Sequence, residues 1–159
     1  MNIKIGVGED SHPFTDQDKK LILGGVEIKN ALGLEGKSDG DVVFHAICNA
    51  FDVVAGQGSL ATYSDKMCEN GITDSAEYVK YIKNITKEKG WKVKSVAVSM
   101  EAKIPKLEPF SNKIKTRIAE LLEISKDNVG LTFTSGEGLS DFGKGKGIRA
   151  TAIVTFIEF

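Results

Sequence analysis

The sequence predicts an α+β protein, an α/β sandwich in which one mixed β-sheet carries helices stacked on one face. Segments with the periods of strands and helices follow one another in the order β-β-α-α-β-α-β-β. The first helical segment, after Ser38, is apolar around much of its circumference, which indicates a buried helix. The last segment, 148–159, is rich in β-branched residues, as central strands are. Because 159 residues suffice for one core, we expect a single domain over 1–159.

The first half of the chain contains two strand-like and two helix-like segments. These are 2–8, 21–28, 38–55 and 74–89. Ser38 suits the N-cap of the first helix, and Asp41 places a carboxylate in its first turn. Residues 56–73 are glycine-rich and polar without a period, so we expect a long loop of the kind that often forms a lid.

The second half begins with a strand at 91–101, and a third helix starts near Pro109. A further strand at 129–135 leads into the loop 136–147, which holds five glycines and two lysines. Glycine lets backbone N–H groups approach an anion, although a flexible hairpin connection explains the composition equally well. The loop does not match a phosphate-binding P-loop or a dinucleotide fingerprint, since a strand follows it.

Composition limits the classes of partner. The formal net charge is −1, so we expect neither nucleic acid nor a membrane as a partner. Cys48 and Cys68 lack the spacing of metal ligands, which favours free thiols in a reducing, cytoplasmic compartment. A plastid-type organelle is the alternative location, if a transit peptide has been removed.

The residues that carry chemistry are grouped around the two histidines of the chain. Asp10 and His12 are two apart after a strand-like run, so their side chains point to the same side. His45 lies within the first buried helix. One carboxylate and two imidazoles are the ligands of a catalytic divalent metal that keeps a coordination position open. The alternative is that Asp10 caps a turn, His12 lies in a loop and His45 is a hydrogen-bonded core residue.

Two acidic residues have secondary roles in this hypothesis. Asp41 falls on the same helix face as His45 and could orient its imidazole, or it could simply complement the helix dipole. Glu137 is a lone carboxylate in the glycine-rich loop. It is either a magnesium ligand or a solvated turn residue.

Taken together, these segments resemble the 2-C-methyl-D-erythritol 2,4-cyclodiphosphate synthase family. The most specific motifs are Asp-x-His at 10–12 and Ser-Asp-Gly-Asp-x-x-x-His at 38–45. The matching pieces occur in the same order almost end to end, at 5–14, 21–28, 38–46, 102–106, Glu137 and 143–148.

The resemblance implies a homotrimer with active sites between subunits and a small-molecule cytidine diphosphate substrate. It implies Zn²⁺, or another divalent transition metal, on Asp10, His12 and His45. It implies Mg²⁺ or Mn²⁺ on Glu137, and catalytic positions at Lys37 and Ser135. The implied substrate-binding residues are Asp10, Ser11, His12, Lys37, Ser38, Gln57, Gly58, Ser59, Tyr63, Asp65, Ala102, Lys103, Ile104, Pro105, Lys106, Leu107, Glu108, Thr134, Ser135, Gly136, Glu137 and Lys144.

The implied activity is that of a phosphorus–oxygen lyase in non-mevalonate isoprenoid biosynthesis. The 2-phosphate of 4-diphosphocytidyl-2-C-methyl-D-erythritol 2-phosphate attacks the β-phosphorus, which expels CMP and closes the cyclic diphosphate. Since the nucleophile belongs to the substrate, no Ser–His pair is required.

The chain departs from the family pattern mainly where the diol of the substrate is held. Lys37 replaces a histidine, and Lys144 replaces an arginine of an anion site on the trimer axis. The diol-binding Asp-Ile-Gly is replaced around 57–59, and Phe-Pro-Asp-x-Asp becomes the run 63–67. Thr-Thr-Thr-Glu becomes the run 134–137. The metal ligands are retained.

Two alternatives to the synthase are considered. One, which follows from the altered 57–67 segment, is a non-catalytic trimer that binds metal and a nucleotide or isoprenoid diphosphate. The other is a divalent-metal phosphohydrolase that acts on another nucleotide diphosphate, with water in place of the internal nucleophile. The synthase would give a cyclic diphosphate and CMP, the binding protein would give no product, and the phosphohydrolase would give inorganic phosphate. The products therefore distinguish the three hypotheses.

Overall fold

The computed structural model describes all 159 residues and contains six strands and four α-helices. The strands are β1 (Ile3–Pro13), β2 (Leu21–Leu23), β3 (Val26–Ile28), β4 (Trp91–Glu101), β5 (Val129–Thr134) and β6 (Gly147–Glu158). The helices are α1 (Val42–Ala55), α2 (Ala61–Glu69), α3 (Ser75–Glu88) and α4 (Ser111–Leu122), with short 3₁₀ turns at Glu108–Phe110 and Lys126–Asn128. None of the helices is long and apolar enough to cross a membrane.

The main sheet has four strands in the order β1-β6-β4-β5. β6 pairs antiparallel with β1 and with β4, whereas β4 and β5 are parallel. The predicted mixed sheet is therefore confirmed, as is the central position of the last strand. β2 and β3 form a separate hairpin that turns at Gly24 and Gly25.

The two faces of the main sheet differ in cover. On one face, which we call the helix face, α1 packs on β1 and β6, and α3 and α4 contact β4 and β5. The opposite face, which we call the open face, leaves Ile5, Val7 and Ile153 exposed. The predicted α/β sandwich with helices on one side is confirmed.

Two glycines of β1 allow α1 to lie unusually close to the sheet. A Cβ on Gly6 would lie 1.9 Å from the carbonyl oxygen of Ala50, and a Cβ on Gly8 would lie 2.1 Å from that of Ala46. No side chain fits at such distances, so only glycine permits this approach. The contact fixes the position of His45, which precedes Ala46 on α1.

The structure contradicts the predicted loop at 56–73, because residues Ala61–Glu69 form α2. Little of α2 is apolar, and only Tyr63 and Ser64 are buried, so its sequence shows no helical period. Tertiary contacts hold it instead. The Leu60 amide donates to Asn49 Oδ1 at 3.0 Å, and the Tyr63 hydroxyl donates to Asp52 Oδ2 at 3.2 Å.

Two predicted boundaries also change. β1 continues through Asp10 and His12 to Pro13, so both predicted ligands lie on a rigid strand rather than beyond its end. α1 begins at Val42, and its N-cap is Asp41 rather than Ser38. The Asp41 carboxylate accepts from the first free amides of the helix, which Ser38, three positions earlier, cannot reach.

Asp52 is a buried carboxylate between α1 and α2. It is 6% exposed, and its Oδ1 has no hydrogen-bond partner. Burial raises the pKa of Asp52 from 3.8 to about 6, against the hydrogen bond from Tyr63, which lowers it.

We expect Gly8→Ala to lower the free energy of unfolding by about 1–3 kcal/mol, since α1 must move away from β1. The same shift should reduce bound zinc. Urea denaturation of the metal-free protein and metal analysis measure the two effects. Gly130→Ala is the control, because a Cβ at this strand glycine meets no atom within 4 Å. Equal effects of the two substitutions would contradict the close-packing explanation.

Asp52 should make the stability depend on pH. Its pKa is higher in the folded than in the unfolded state, so folded wild-type protein loses stability as the pH rises from about 4 to about 6. Asp52→Asn removes this loss, and its stability relative to wild type should rise over that interval by at most about 3 kcal/mol. Denaturation curves across the pH range measure the difference, and a constant difference would exclude this role for Asp52.

Candidate metal centre and substrate clefts

Asp10, His12 and His45 converge at the end of the helix face. β1 presents Asp10 and His12 on the same side, and α1 places His45 above them. Asp10 Oδ2 lies 2.9 Å from His12 Nε2 and 2.9 Å from His45 Nδ1. All three ligand atoms lie within 4.8 Å of one another.

This geometry fits a divalent transition metal. Atoms bound to one zinc ion at about 2.0–2.1 Å stand about 3.3 Å apart in a tetrahedron, close to the distances between these side chains. One oxygen and two nitrogens also match the donor set of catalytic sites, which leave the fourth position to water or substrate. These three residues could therefore hold the metal and leave it accessible from the cleft.

The electrostatics of the centre favour an ionised Asp10. Burial acts to raise its pKa, but hydrogen bonds with His12 and His45 and the charge of these rings outweigh burial. Together they lower the pKa of Asp10 from 3.8 to about 2. Asp10 is thus ready to bind a cation at neutral pH without first losing a proton.

A chain of hydrogen bonds through Ser75 and Asp39 orients the His45 ring. His45 Nε2 lies 2.8 Å from Ser75 Oγ, and the Ser75 hydroxyl donates to Asp39 Oδ1. With Ser75 donating to Asp39, its oxygen accepts from Nε2–H of His45, which leaves Nδ1 free to bind a metal. The Ser75 amide also donates to Asp39 Oδ2 at 3.0 Å, which holds Ser75 in place.

Asp41 does not orient His45. Its carboxylate accepts hydrogen bonds from four backbone amides, those of Gly24, Gly25, Val43 and Phe44. Asp41 therefore ties the β2–β3 turn to the start of α1, and the alternative role at the helix N-terminus is the one confirmed. Burial and the nearby Asp39 carboxylate raise its pKa to about 6, against the backbone N–H donors of Phe44, Gly25 and Gly24, which favour ionisation.

The three ligands line a cleft of about 290 Å³, which we call the metal cleft. Its other lining residues are Gly36, Lys37, Ser38, Asn49, Ser59, Leu60, Ala61, Ser64, Asp65 and Cys68. Four more of the predicted substrate-binding residues are thus brought to the metal ligands, namely Lys37, Ser38, Ser59 and Asp65. Ser11, Gln57 and Gly58 lie outside this lining, and Tyr63 turns into the core towards Asp52.

A second cleft of about 130 Å³, which we call the nucleotide cleft, lies at the end of β4 and β5. It is lined by Met100, Ala102, Lys103, Pro105, Lys106, Leu107, Glu108, Phe133, Thr134 and Ser135. Most of the residues predicted for the cytidine diphosphate are therefore brought together. Ile104 instead lines a small apolar cleft beside Phe14. Gly136, Glu137 and Lys144 belong to neither cleft.

Residues 3–157 match the sequence profile of the YgbB family. The chain belongs to the YgbB family. A Chlamydia muridarum relative named 2-C-methyl-D-erythritol 2,4-cyclodiphosphate synthase is 43% identical over 159 residues, covering 98% of this chain and 89% of that protein. A relative of the same name from Chlamydia felis is 40% identical over 160 residues, covering 98% and 90% of the two chains.

Solved structures agree with the YgbB assignment. IspF of Plasmodium falciparum, solved as a CDP complex, is 27% identical with a TM-score of 0.85, over 99% of this chain and 97% of that one. The bifunctional IspDF of Campylobacter jejuni is 28% identical with a TM-score of 0.91, over 99% of this chain and 43% of that one. The family resemblance inferred from the motifs is confirmed.

Two residues of this YgbB-family site escape sequence analysis. Ser75 is 30 residues from His45 along the chain, and a serine after a helix cap carries no metal signature. Asn49 joins Glu9 O at 3.1 Å to the Leu60 amide at 3.0 Å, and so couples β1 to the start of α2. A polar residue one turn after His45 in an apolar helix is the signal that could have revealed Asn49.

We expect Ser75→Ala to weaken zinc binding about 10- to 100-fold, because His45 Nε2 loses the nearer of its two hydroxyl partners and keeps only Ser38 Oγ at 3.3 Å. Competition against a chromogenic chelator measures the affinity. Ser64→Ala is the matched control, since Ser64 lines the same cleft without contacting His45. Zinc affinity equal to the control would show that Ser75 does not orient the ligand.

Proposed function

We propose that this enzyme converts 4-diphosphocytidyl-2-C-methyl-D-erythritol 2-phosphate into 2-C-methyl-D-erythritol 2,4-cyclodiphosphate and CMP. The observation that carries the proposal is the convergence of Asp10, His12 and His45 in a chain of the YgbB family. The relatives at up to 43% identity carry the name of this synthase. The enzyme would thus be a phosphorus–oxygen lyase of the non-mevalonate isoprenoid pathway.

The reaction needs no nucleophile from the protein. An oxygen of the substrate 2-phosphate forms a bond to the β-phosphorus, and the bond from that phosphorus to the bridging oxygen of CMP breaks. The electron pair leaves with CMP, so phosphate charges are crowded throughout the step. The protein has to hold two phosphates in line and neutralise their charge.

The metal cleft, together with Glu137 from the glycine-rich loop outside it, would supply the groups for this task. Asp10, His12 and His45 would hold Zn²⁺ or another divalent transition metal, and Glu137 would hold Mg²⁺ or Mn²⁺. Bound divalent cations neutralise phosphate oxygens and orient the reacting groups. Lys37 is exposed at the rim of the cleft and adds a mobile cation where the family has a histidine. The Ser59 hydroxyl and the Asp65 carboxylate offer partners to the diol in place of the family motif.

The nucleotide cleft would hold the cytidine diphosphate part. Its backbone between 102 and 108, with Thr134 and Ser135, offers hydrogen-bonding groups beside apolar floor residues. The CDP complex of the Plasmodium falciparum neighbour supports a nucleotide as the ligand class. Ser135 is the proposed catalytic contact to the leaving group.

A homotrimer would join the two clefts. Within one chain the metal cleft and the nucleotide cleft share no lining residue. The open face of the sheet exposes Ile3, Ile5, Val7 and Ile153, which favours burial of this face against other subunits. In such an assembly the nucleotide cleft of one subunit would face the metal cleft of the next.

Phosphorus NMR tests the proposal directly. Protein supplied with zinc, magnesium and the substrate should produce cyclic diphosphate and CMP in equal amounts. Intact substrate from a protein that holds zinc would overturn the proposal in favour of a non-catalytic binding protein. Release of inorganic phosphate would instead indicate a phosphohydrolase.

We expect Glu137→Gln to raise the magnesium concentration that gives half-maximal turnover, because the variant loses the negative charge that holds this ion. Zinc content should stay at the wild-type value, since Glu137 is outside the zinc ligand set. Glu120→Gln, which removes an exposed carboxylate from α4, is the control. An unchanged magnesium requirement would contradict the role of Glu137.

A further inference from the structure

One row of residues crosses all four strands of the main sheet and joins the two halves of the proposed site. In register from β1 to β5, this row contains Ser11, Arg149, Glu101 and Thr134. Ser11 lies between the metal ligands of β1 in sequence but on the opposite, open face of the sheet, and Thr134 lines the nucleotide cleft. Arg149 and Glu101 connect these two positions, yet neither has a role in the reaction proposed above.

Glu101 and Arg149 form an ion pair on the open face. Arg149 Nη2 lies 2.7 Å from Glu101 Oε2 and 3.4 Å from Oε1. Glu101 is only 8% exposed, although the apolar residues farther along this face remain uncovered. A buried carboxylate is destabilising unless it is paired, and Arg149 is its partner. Because this face of the sheet carries no helix, another segment must shield Glu101 from solvent.

The cover is the glycine-rich loop 136–147. The Ser140 hydroxyl donates to Glu101 Oε1 at 2.6 Å, and Ser140 Oγ in turn accepts from the Gly143 amide at 2.9 Å. The Arg149 guanidinium lies over the Phe142 ring, 5.2 Å from its centre. The ion pair therefore contacts the loop at two residues, Ser140 and Phe142, and the Gly143 amide is bonded to the first of them.

The loop also folds back on itself beside Glu101. A Cβ on Gly136 would lie 2.7 Å from Gly143 Cα and 3.1 Å from Glu101 Oε1, so only glycine permits this turn. Glu137 follows with a φ of 52°, a left-handed conformation that a glutamate adopts at a cost. Its amide is held by Ser135 Oγ at 3.3 Å.

A segment with five glycines loses much conformational entropy when it becomes ordered. Glu101 and Arg149 lie on the rigid sheet, and their contacts with the loop offset that loss of entropy. They act on the segment that carries Glu137 and follows directly after Ser135.

We infer that Glu101, paired with Arg149 and bonded to Ser140, is a positioning residue that holds the 136–147 loop in the conformation needed to bind magnesium and the nucleotide diphosphate. This inference rests on the proposed function, since that function assigns the loop to the diphosphate. Glu101 itself does not touch the substrate. Its charge is neutralised by Arg149, and its Oε1 accepts the hydrogen bond from Ser140 of the loop.

Ser140→Ala tests the inference, because it releases the loop from Glu101 and leaves the ion pair in place. Calorimetric titration with CDP in the presence of magnesium should give a Kd raised about tenfold, as expected for loss of a hydrogen bond to a charged group. The magnesium concentration for half-maximal turnover should rise with it, while zinc stays at the wild-type stoichiometry. Glu101→Gln should act in the same direction.

Asp141→Asn is the matched control, because it removes an exposed loop ion pair with Lys146 at 3.1 Å and leaves Glu101 unaffected. Hydrogen exchange gives a second readout, and the Gly143 amide should exchange faster in Ser140→Ala than in the control.

The outcomes separate the inference from the function on which it rests. If wild-type protein binds CDP and turns over substrate, but Ser140→Ala matches Asp141→Asn in CDP affinity and magnesium requirement, the positioning role is overturned and the proposed function stands. If wild-type protein binds no CDP, both are overturned. A variant that loses zinc as well would show a general structural role and would equally overturn the inference.

Discussion

The close contact between α1 and β1 is the constraint on which the candidate site depends. Gly6 and Gly8 bring the helix backbone against the strand, at distances that no side chain would allow. Asp10 and His12 lie two and four positions after Gly8 on the same strand face, and His45 precedes the helix residue that Gly8 contacts. The spacing of the metal ligands is therefore set by backbone packing rather than by flexible side chains. Asn49, also on α1, accepts a hydrogen bond from the Leu60 amide and so positions the start of α2. Ser75, at the start of α3, fixes the ring of His45.

The two faces of the sheet carry different parts of the proposed site. On the helix face, the imidazoles and Asp10 form a metal centre that opens into a polar cleft. On the open face, Glu101 and Arg149 order the glycine-rich loop beside the nucleotide cleft. The clefts share no lining residue within one chain, and in the proposed homotrimer a substrate would contact both through adjacent subunits. Such an arrangement suits a reaction in which positioning and charge neutralisation provide most of the rate enhancement.

The metal ligands could be predicted from the sequence because local spacing determines their geometry. Asp10 and His12 alternate on a strand, His45 lies on a buried helix, and the chain has no other histidine, so the metal hypothesis needed no long-range information. Residues that act through partners distant in sequence could not be predicted in this way. α2 is held by Asn49 and Asp52 rather than by its own period, and Asp41 binds a hairpin turn that lies well before it in sequence. Ser75 is a common residue type whose importance comes only from its contact with His45. The fold and the ligand triad could thus be predicted, whereas the residues that orient the triad could not.

The most direct measurement is a crystal structure of the protein grown with zinc and CDP, with anomalous diffraction data collected at the zinc edge. We predict one zinc peak per chain, within bonding distance of Asp10 Oδ2, His12 Nε2 and His45 Nδ1. CDP should lie with its cytidine in the nucleotide cleft of one subunit and its β-phosphate beside the zinc of the next. An anomalous peak elsewhere, or CDP bound away from both clefts, would contradict the metal centre and the shared site.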